Sequence, residues 1–351
     1  MGLDKKFDVS ELTVRKEIPG LFGSVTKLMT TPITPKENTL RLYNGKTPMW
    51  APFSMGEYNM IMIGCDPESQ ARSPQGGKDG YGVEWQFVPS AGGAMVKPGN
   101  PVIEDINDWK NCVTIPDPDT WDWEGFYNEK KDSLDPDLCT YVAAYGCLFE
   151  RLIACMDYGN AVVALIDEDS KDAVHEFFTQ VKEVHKKTYS NLKKWFDPEI
   201  VNFNDDWGTQ KAQAFSNETY EEMILPYVKE IADHIHSMGM NFDLHCCGFA
   251  EPLVPLMIKA GIDSWGGQAL NDKLKLKQMY GDQFIFTANI ALPMDATEEQ
   301  MDAVVEEFIN GIGADNRCLV EVMGPPALRE KIYVASRKNF DRLVEEGKAI
   351  L

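Results

Sequence analysis

The chain has 351 residues, of which 44% are hydrophobic and 25% are charged, a balance typical of a globular protein with a large core. Its formal net charge of −21 argues against binding to nucleic acid or to an anionic membrane surface, because both depend on clustered lysine and arginine. No apolar run approaches the roughly 20 residues that cross a bilayer, and the N-terminus is polar, so we expect a cytoplasmic protein. The eight cysteines are expected to be reduced thiols, some of them available for metal ligation.

The pattern along the chain predicts a single (β/α)8 TIM barrel. Residues 1–45 mix charges, prolines and a few apolar positions, which indicates an N-terminal extension or cap. From residue 46 to residue 351, short apolar runs alternate with loops and helical segments, as in a parallel α/β fold. The eight predicted strands are Met49–Phe53, Gly80–Trp85, Thr140–Tyr145, Ile200–Asp205, Asn241–Cys246, Ile262–Gly266, Phe284–Asn289 and Cys318–Met323.

Two helices and one insertion are also predicted from the pattern. Lys171–Lys194 is amphipathic, and a helix over Asn217–Met238 would begin at Ser216 or Asn217 as N-cap and end at Gly239. The segment Gly92–Pro136 is rich in proline, aspartate and tryptophan, which predicts an irregular insertion after the second strand. An insertion at this place would cover the open end of the barrel.

A histidine and a cysteine at the end of the fifth predicted strand are the strongest chemical signal. His245 and Cys247 lie two residues apart, so on an extended strand end their side chains point the same way and could bind one metal ion. Zinc suits a mixed nitrogen and sulfur ligand set. The alternative is a buried histidine beside two core cysteines, because cysteine often behaves as a small hydrophobe.

Two adjacent carboxylates lie at the end of the fourth predicted strand. Asp205 and Asp206 would repel each other unless they bind a cation, a donor-rich substrate or a neighbouring helix terminus. Asp206 is therefore a candidate third metal ligand, a residue that orients His245, or a proton carrier. The alternative is an N-cap and a turn that leads into Gly208.

A charged residue interrupts the apolar pattern of the eighth predicted strand. Glu321 is a candidate catalytic carboxylate that points into the barrel, and the alternative is a salt bridge to an interior arginine. Aromatic and amide side chains near other strand ends are candidates for the wall of a pocket that binds a flat substrate. They are Trp50, Phe53, Tyr81, Trp85, Tyr145, Trp207, Gln210, Gln268 and Asn289.

Several of these motifs together resemble the uroporphyrinogen decarboxylase superfamily. The resemblance is carried by Asp205-Asp206-Trp207-Gly208, Pro226-Tyr227, Leu244-His245-Cys246-Cys247-Gly248, Gly261-Ile262-Asp263, Asp79–Trp85 and Phe149-Glu150-Arg151. It implies a (β/α)8 barrel with its active site at the C-terminal ends of the strands. The decarboxylases themselves carry an arginine-rich element near the first strand, whereas Thr47–Gly56 contains no arginine, so a decarboxylase is disfavoured.

The methyltransferase branch of that superfamily implies a zinc ion held by a His-x-Cys pair, which His245 and Cys247 match. Its thiol-methylating members have a third cysteine after the eighth strand, where this chain has Met323-Gly324-Pro325-Pro326. The resemblance therefore implies a methyltransferase that moves a methyl group from a small substrate, such as an aryl methyl ether, to cob(I)alamin on a separate corrinoid protein. In that reaction Asp206, Glu321 and His245 would be the catalytic residues.

Three other functions stay open at this point. The first is the reverse partner, a transferase from a methylcorrinoid to a thiol or another acceptor, in which zinc activates a thiolate. A non-catalytic module that binds a corrinoid or a metal is the second, and uroporphyrinogen decarboxylase is the third. Because the chain has no cobalamin-binding segment of its own, we expect the corrinoid to come from a partner and the isolated protein to be colourless.

Overall fold

The computed structural model describes residues 3–19 and 25–351, and in these parts the chain is α/β. The strands are β1 (Val14–Pro19), β2 (Val25–Met29), β3 (Tyr58–Met62), β4 (Gly77–Lys78), β5 (Glu84–Val88), β6 (Gly93–Val96), β7 (Cys139–Ala144), β8 (Ile200–Asn204), β9 (Asn241–His245), β10 (Ser264–Trp265), β11 (Ile285–Ala291) and β12 (Leu319–Met323). The helices are α1 (Pro35–Tyr43), α2 (Pro67–Ala71), α3 (Trp109–Cys112), α4 (Trp123–Lys130), α5 (Leu148–Met156), α6 (Tyr158–Ala164), α7 (Lys171–Phe196), α8 (Asn217–Met223), α9 (Leu225–Ser237), α10 (Val254–Lys259), α11 (Lys273–Tyr280), α12 (Glu298–Asn310) and α13 (Pro326–Glu345).

The chain divides into two compact units. Unit 1 comprises residues 1–59, 134–139 and 263–351, and unit 2 comprises residues 60–133 and 140–262. Each unit has its own parallel strands and its own apolar core. The predicted boundary at residue 45, between an extension and the barrel, stays a prediction.

Unit 2 holds three parallel strands in register. β7 pairs with β8, and β8 pairs with β9, so that Asn204 lies opposite His245 at the ends of their strands. Seven of the ten side chains of β8 and β9 are buried, as expected for parallel strands that are covered on both faces. The long helix α7 contacts α9 and buries Phe177, Phe178 and Val181 along its inner side.

Unit 1 also builds its core on parallel strands. β10 pairs with β11, β11 pairs with β12, and Phe53 makes one parallel bridge to Val320 of β12. The fully buried side chains of Trp50, Phe53 and Val320 belong to one apolar cluster with Tyr333 and Phe340 of α13. β1 and β2 form a separate antiparallel hairpin.

Six of the eight predicted strands are present with similar bounds, and the second is wrong. Glu84–Val88 is the middle strand of an antiparallel sheet with β4 and β6, and the residues before it form a turn in which Gly82 has a φ of +90°. In the sheet that contains β7, the strand that precedes β7 along the chain is instead β3. Its Met60 and Met62 side chains are 45% and 38% exposed, which hides the apolar pattern of a buried strand.

The first predicted strand and the insertion also need correction. Met49–Phe53 is buried, but only Phe53 makes a strand bridge. The predicted irregular insertion, Gly92–Pro136, contains β6 and the short helices α3 and α4. The part of the chain after β3 is therefore more ordered than its proline and aspartate content suggests.

The predicted helices are confirmed with one break. α7 covers the predicted span from Lys171, and Ser216 caps α8 by accepting a hydrogen bond from the backbone amide of Thr219. The second predicted helix is interrupted at Ile224, because Pro226 cannot donate to the preceding turn. Gly239 follows α9 with a φ of +74°, as the predicted helix end requires. Within the described residues, no helix is both long enough and apolar enough to span a bilayer.

Candidate metal centre

The strand register of unit 2 brings two chemically active segments to one edge of its sheet. Asn204 and His245 are paired at the ends of β8 and β9, and the chain continues from them to Asp206 and Cys247. Because parallel strands end at the same edge, the carboxylate after β8 and the thiol after β9 come together there. This edge corresponds to the C-terminal face where α/β barrels keep their catalytic groups.

Asp206, His245 and Cys247 form one cluster of candidate metal ligands. One carboxylate oxygen, one imidazole nitrogen and the thiol sulfur all lie within 4.8 Å of one another. The Nε2 of His245 is 3.2 Å from the Sγ of Cys247, and the backbone amide of Cys247 donates a 2.6 Å hydrogen bond to Oδ1 of Asp206. The predicted histidine and cysteine pair is therefore together, and Asp206 joins it.

Two glycines allow the loops that carry these ligands to touch backbone to backbone. Gly248 has a φ of +76°, and a Cβ atom there would overlap the backbone of Gly208. The amide of Phe249 donates a 2.8 Å hydrogen bond to the carbonyl of Thr209, which ties the loop after β9 to the loop after β8. The position of the cluster thus depends on the absence of a side chain at residue 248.

The residues next to the ligands have structural roles. Asp205 is fully buried and accepts hydrogen bonds from the backbone amides of Phe149 and Glu150, at the N-terminus of α5, and from Nε1 of Trp207. The Sγ of Cys246 is also buried and accepts a hydrogen bond from the amide of Trp207. One of the two adjacent carboxylates therefore caps a helix, as the sequence allowed, and the other faces the ligand cluster.

The acids around the cluster are held in an environment that disfavours negative charge. Burial, and then the charge of Asp206, raises the pKa of the Cys247 thiol to about 12. The same two causes raise the pKa of Glu150, in the first turn of α5, to about 8. Burial raises the pKa of Asp205 to about 7 against the opposing effect of its three donors. A cation bound at the cluster would attract these negative charges, and it would therefore lower the pKa values that their mutual repulsion raises.

The donor set fits zinc. A catalytic zinc site typically has three protein ligands drawn from nitrogen, sulfur and carboxylate oxygen, and it keeps a further position open for water or substrate. Asp206, His245 and Cys247 provide one donor of each kind. The three residues are therefore a candidate metal-binding triad, and zinc as the metal stays a prediction.

Four of the aromatic residues predicted to line a substrate pocket lie beneath arginines. The guanidinium carbon of Arg72 lies 4.0 Å from the ring centre of Trp85 and 4.8 Å from that of Tyr145. In the same unit Arg151 lies 4.1 Å from the ring centre of Tyr81. In unit 1 the ring of Phe53 has Arg329 at 4.0 Å. These rings act at least in part as cation–π partners.

The remaining predicted pocket residues differ in accessibility. Trp50 and Trp207 are fully buried, and their indole nitrogens donate to Glu57 and Asp205. Gln210 is exposed, whereas Gln268 and Asn289 are half-buried. A substrate-binding role for each of them stays a prediction.

Glu321 belongs to a hydrogen-bonded network of polar side chains in unit 1. It is paired in register with Asn289 on the neighbouring strand, and Nδ2 of Asn289 donates a 2.6 Å hydrogen bond to Oε2 of Glu321. The amide oxygen of Asn289 accepts in turn from Lys273, a buried lysine that also donates to the carbonyls of Gly267 and Thr287. Burial lowers the pKa of Lys273 to about 8. The partner of Glu321 is thus an amide rather than the arginine that the sequence offered as an alternative.

Sequence reasoning missed three charged residues near the candidate sites. Arg72 follows the short helix α2, Glu150 lies in the first turn of the largely apolar helix α5, and Lys273 begins a lysine-rich helix that looks exposed in the sequence. A partial signal existed for Glu150, which belongs to the Phe149-Glu150-Arg151 segment that carried the resemblance. For Arg72 there was none, because its aromatic neighbours are close only in space. For Lys273 the only sequence cue is its position just after Asp272, the N-cap of α11.

These features define an α/β protein with a candidate carboxylate, imidazole and thiol centre at the C-terminal ends of parallel strands. Residues 158–320 match the family model described as uroporphyrinogen decarboxylase (URO-D). The match covers the whole ligand triad, and it confirms the resemblance inferred from the motifs. No curated protein matches the sequence.

Solved structures extend the likeness at the level of the fold. A methyltransferase from Methanosarcina mazei is similar with a TM-score of 0.57 and 14% identity, over 88% of this chain and 99% of that chain. A xylanase from Gloeophyllum trabeum (TM-score 0.39, 9% identity, 64% of this chain and 82% of that chain) is less similar. So is the 3-keto-D-glucoside 4-epimerase YcjR from E. coli (TM-score 0.36, 12% identity, 64% and 84%).

Proposed function

We propose that this protein is a (β/α)8-barrel methyltransferase that moves a methyl group from a small methylated donor to the cob(I)alamin of a separate corrinoid protein. The donor class we favour is the aryl methyl ethers. Asp206, His245 and Cys247 hold a zinc ion, and the corrinoid arrives on its partner. The reaction is an O-demethylation in which the chain supplies the donor site and the partner supplies the acceptor.

The observation that carries this proposal is the ligand triad and its position. Three different donor atoms lie within 4.8 Å at the strand ends of a URO-D family domain. The fold is shared with a methyltransferase from Methanosarcina mazei, which supports methyl transfer as the reaction class. The missing arginines in Thr47–Gly56 argue against a porphyrinogen with many carboxylates as the substrate.

The reaction needs a group that stabilises the leaving oxygen. The electron pair of Co(I) forms a bond to the methyl carbon, the carbon–oxygen bond breaks, and its electron pair stays on the aryl oxygen. A bound zinc ion would supply Lewis acidity that stabilises the developing phenolate. We assign the proton for that oxygen to a nearby carboxyl group. Glu150 suits this step because burial, which a bound zinc ion would leave in place, is the largest cause that raises the pKa of its carboxyl group. A catalytic role for Glu321, which lies in unit 1, stays a prediction.

The test is an anaerobic methyl transfer assay. Zinc-loaded protein is mixed with free cob(I)alamin and a methoxylated phenol, and loss of the cob(I)alamin absorbance is followed. The wild type is compared with Cys247→Ala and with Cys246→Ala. Cys246 is a matched control because it is the adjacent thiol, but it accepts a hydrogen bond from Trp207 in the core. Thermal melting confirms that both variants are folded.

We expect methylcobalamin to form with the wild type and with Cys246→Ala, and the rate with Cys247→Ala to fall by a factor of about 100 or more. If cob(I)alamin persists with every methoxylated donor, O-demethylation is excluded. The same protein is then offered methylcobalamin with small thiols. Demethylation of methylcobalamin in that second assay would identify the reverse transferase instead.

A further inference from the structure

Arg72 in unit 2 has an open edge between two aromatic rings. It follows α2 directly, and its guanidinium carbon lies 4.0 Å from the ring centre of Trp85 and 4.8 Å from that of Tyr145. Its Nε and Nη2 both bind Oε1 of Glu68, at 2.9 Å and 2.8 Å. Two aromatic rings and one carboxylate oxygen therefore contact the guanidinium group, and these contacts hold it in one orientation.

The remaining edge of Arg72 is available to a ligand. The side chain is 21% exposed, and Nη1 makes no hydrogen bond to any residue in the described part of the chain and is not a buried unsatisfied atom. A guanidinium has five N–H donors, so an acceptor can still bind at this edge. The other oxygen of Glu68 is bound by the buried Arg151, which also binds Asp79, so Arg72 shares its carboxylate with a second arginine.

Arg72 lies within one small molecule's length of the ligand triad. Tyr145 is the residue after β7, and the register Ala144 to Phe203 and Asn204 to His245 places Tyr145, Asn204 and His245 in one row across three strands. Neighbouring strands lie about 4.8 Å apart, so the backbones of Tyr145 and His245 are about 10 Å apart. The pKa of Glu150 is affected by both Asp206 and Arg72, which agrees with this placement. An aromatic ring with substituents at opposite ends spans such a distance.

We propose that Arg72, held between Trp85 and Tyr145, anchors a carboxylate on the methylated substrate at the end opposite to the methyl group. This proposal rests on the proposed function, and it narrows the substrate to a methoxylated aromatic acid. A carboxylate fits because its two oxygens match the planar edge of a guanidinium. A doubly charged phosphate fits less well, because Glu68 and Asp206 lie nearby and would repel the additional charge.

The test compares two probes that differ only in charge. Binding of 4-methoxybenzoate and of the neutral isostere 4-methoxybenzamide to the zinc-loaded protein is measured by titration calorimetry. The variants are Arg72→Gln, which removes the charge, and Arg72→Lys, which keeps it without the planar fork. Arg342→Gln is the matched control. Arg342 forms an ion pair with Glu346, four residues away along the chain, just as Arg72 does with Glu68, but elsewhere on the surface. Thermal melting establishes that each variant is folded.

We expect the wild type to bind the acid about tenfold or more tightly than the amide, as one charge-assisted pair allows. Arg72→Gln should abolish that preference, Arg72→Lys should keep part of it, and Arg342→Gln should leave it unchanged. In the transfer assay Arg72→Gln should raise KM for the acid but not for the amide.

Two results would overturn the anchor: equal binding of acid and amide by the wild type, or a preference that survives in Arg72→Gln. Because binding is measured without methyl transfer, the two proposals can fail separately. A preference that depends on Arg72 without any methyl transfer would support the anchor and refute the proposed function. Methyl transfer from neutral ethers, with no preference for the acid that depends on Arg72, would support the proposed function and refute the role of Arg72.

Discussion

The backbone amide of Cys247 donates a 2.6 Å hydrogen bond to the carboxylate of Asp206, and this contact joins the loop after β9 to the loop after β8. The residue before each partner is turned into the core: Asp205 caps α5, and Cys246 accepts from the amide of Trp207. Side chains alternate along extended backbone, so one residue of each adjacent pair holds the structure and the other faces the candidate metal.

This division of labour predicts opposite effects for the two aspartates. Asp205→Ala leaves three buried donors without an acceptor, so we expect the free energy of unfolding to fall by about 2 to 4 kcal/mol. Asp206→Ala should change it by less than about 1 kcal/mol and should lower zinc affinity by a factor of about 10 or more. Urea denaturation and competition with a zinc chelator measure the two quantities. A variant pair with equal effects on both quantities would refute the division.

The close approach of the two ligand loops predicts a strong effect at Gly248. Gly248→Ala would place a Cβ atom against the backbone of Gly208, so we expect a loss of about 3 kcal/mol or more in unfolding free energy, together with loss of bound zinc. Gly239→Ala is the matched control, because Gly239 has nearly the same φ but open space around it. It should cost only about 1 kcal/mol and keep the zinc. Similar behaviour of the two variants would mean that backbone strain alone causes the effect.

A buried histidine predicts a loss of stability in acid. Burial, assisted by Arg151, lowers the pKa of His185 from 6.5 to about 4 in the folded chain. Between these two pH values the unfolded chain binds the additional proton, so the unfolding free energy falls as pH falls, by roughly 3 kcal/mol in total. In His185→Gln that part of the pH dependence should disappear, while the wild type retains it. Denaturation series at pH 7, 5 and 4 on both proteins measure the difference, and parallel curves would contradict the assignment.

The buried lysine of unit 1 predicts a structural effect that its exposed neighbour lacks. Lys273→Met removes the donor that the carbonyls of Gly267 and Thr287 and the amide of Asn289 share. We expect the unfolding free energy to fall by about 2 to 4 kcal/mol. Lys275→Met, on the exposed side of the same helix, should change it by less than about 0.5 kcal/mol. A small effect of Lys273→Met would mean that water satisfies these oxygens.

The sequence pattern predicted the buried parallel strands because short apolar runs bounded by polar loops are typical of strands that are covered on both faces. The runs at Ile200–Asp205 and Asn241–Cys246 coincide with β8 and β9. The pattern failed at β3, because Met60 and Met62 leave that strand partly exposed. It also failed at Gly80–Trp85, where the apolar residues cover an antiparallel sheet rather than the parallel one.

The ligand set could be predicted in part for a similar reason. A spacing of two residues on a strand end determines which side chains share a face, so His245 and Cys247 were predictable as a pair. Asp206 was a candidate third ligand with other possible roles, because its proximity to the pair depends on the register between two strands, which the sequence does not specify. The stacking of Arg72 on Trp85 and Tyr145 joins segments that are far apart in the chain, so nothing local indicates it.

The most direct test of the metal centre is the zinc content of three proteins, measured by elemental analysis after exposure to zinc and dialysis. We expect about one zinc ion per chain in the wild type and in Cys246→Ala, and little or none in Cys247→Ala. That result would assign the metal to the cluster of Asp206, His245 and Cys247. A wild-type protein that retains no zinc, or a Cys247→Ala variant that retains as much as the wild type, would contradict a zinc centre at this cluster.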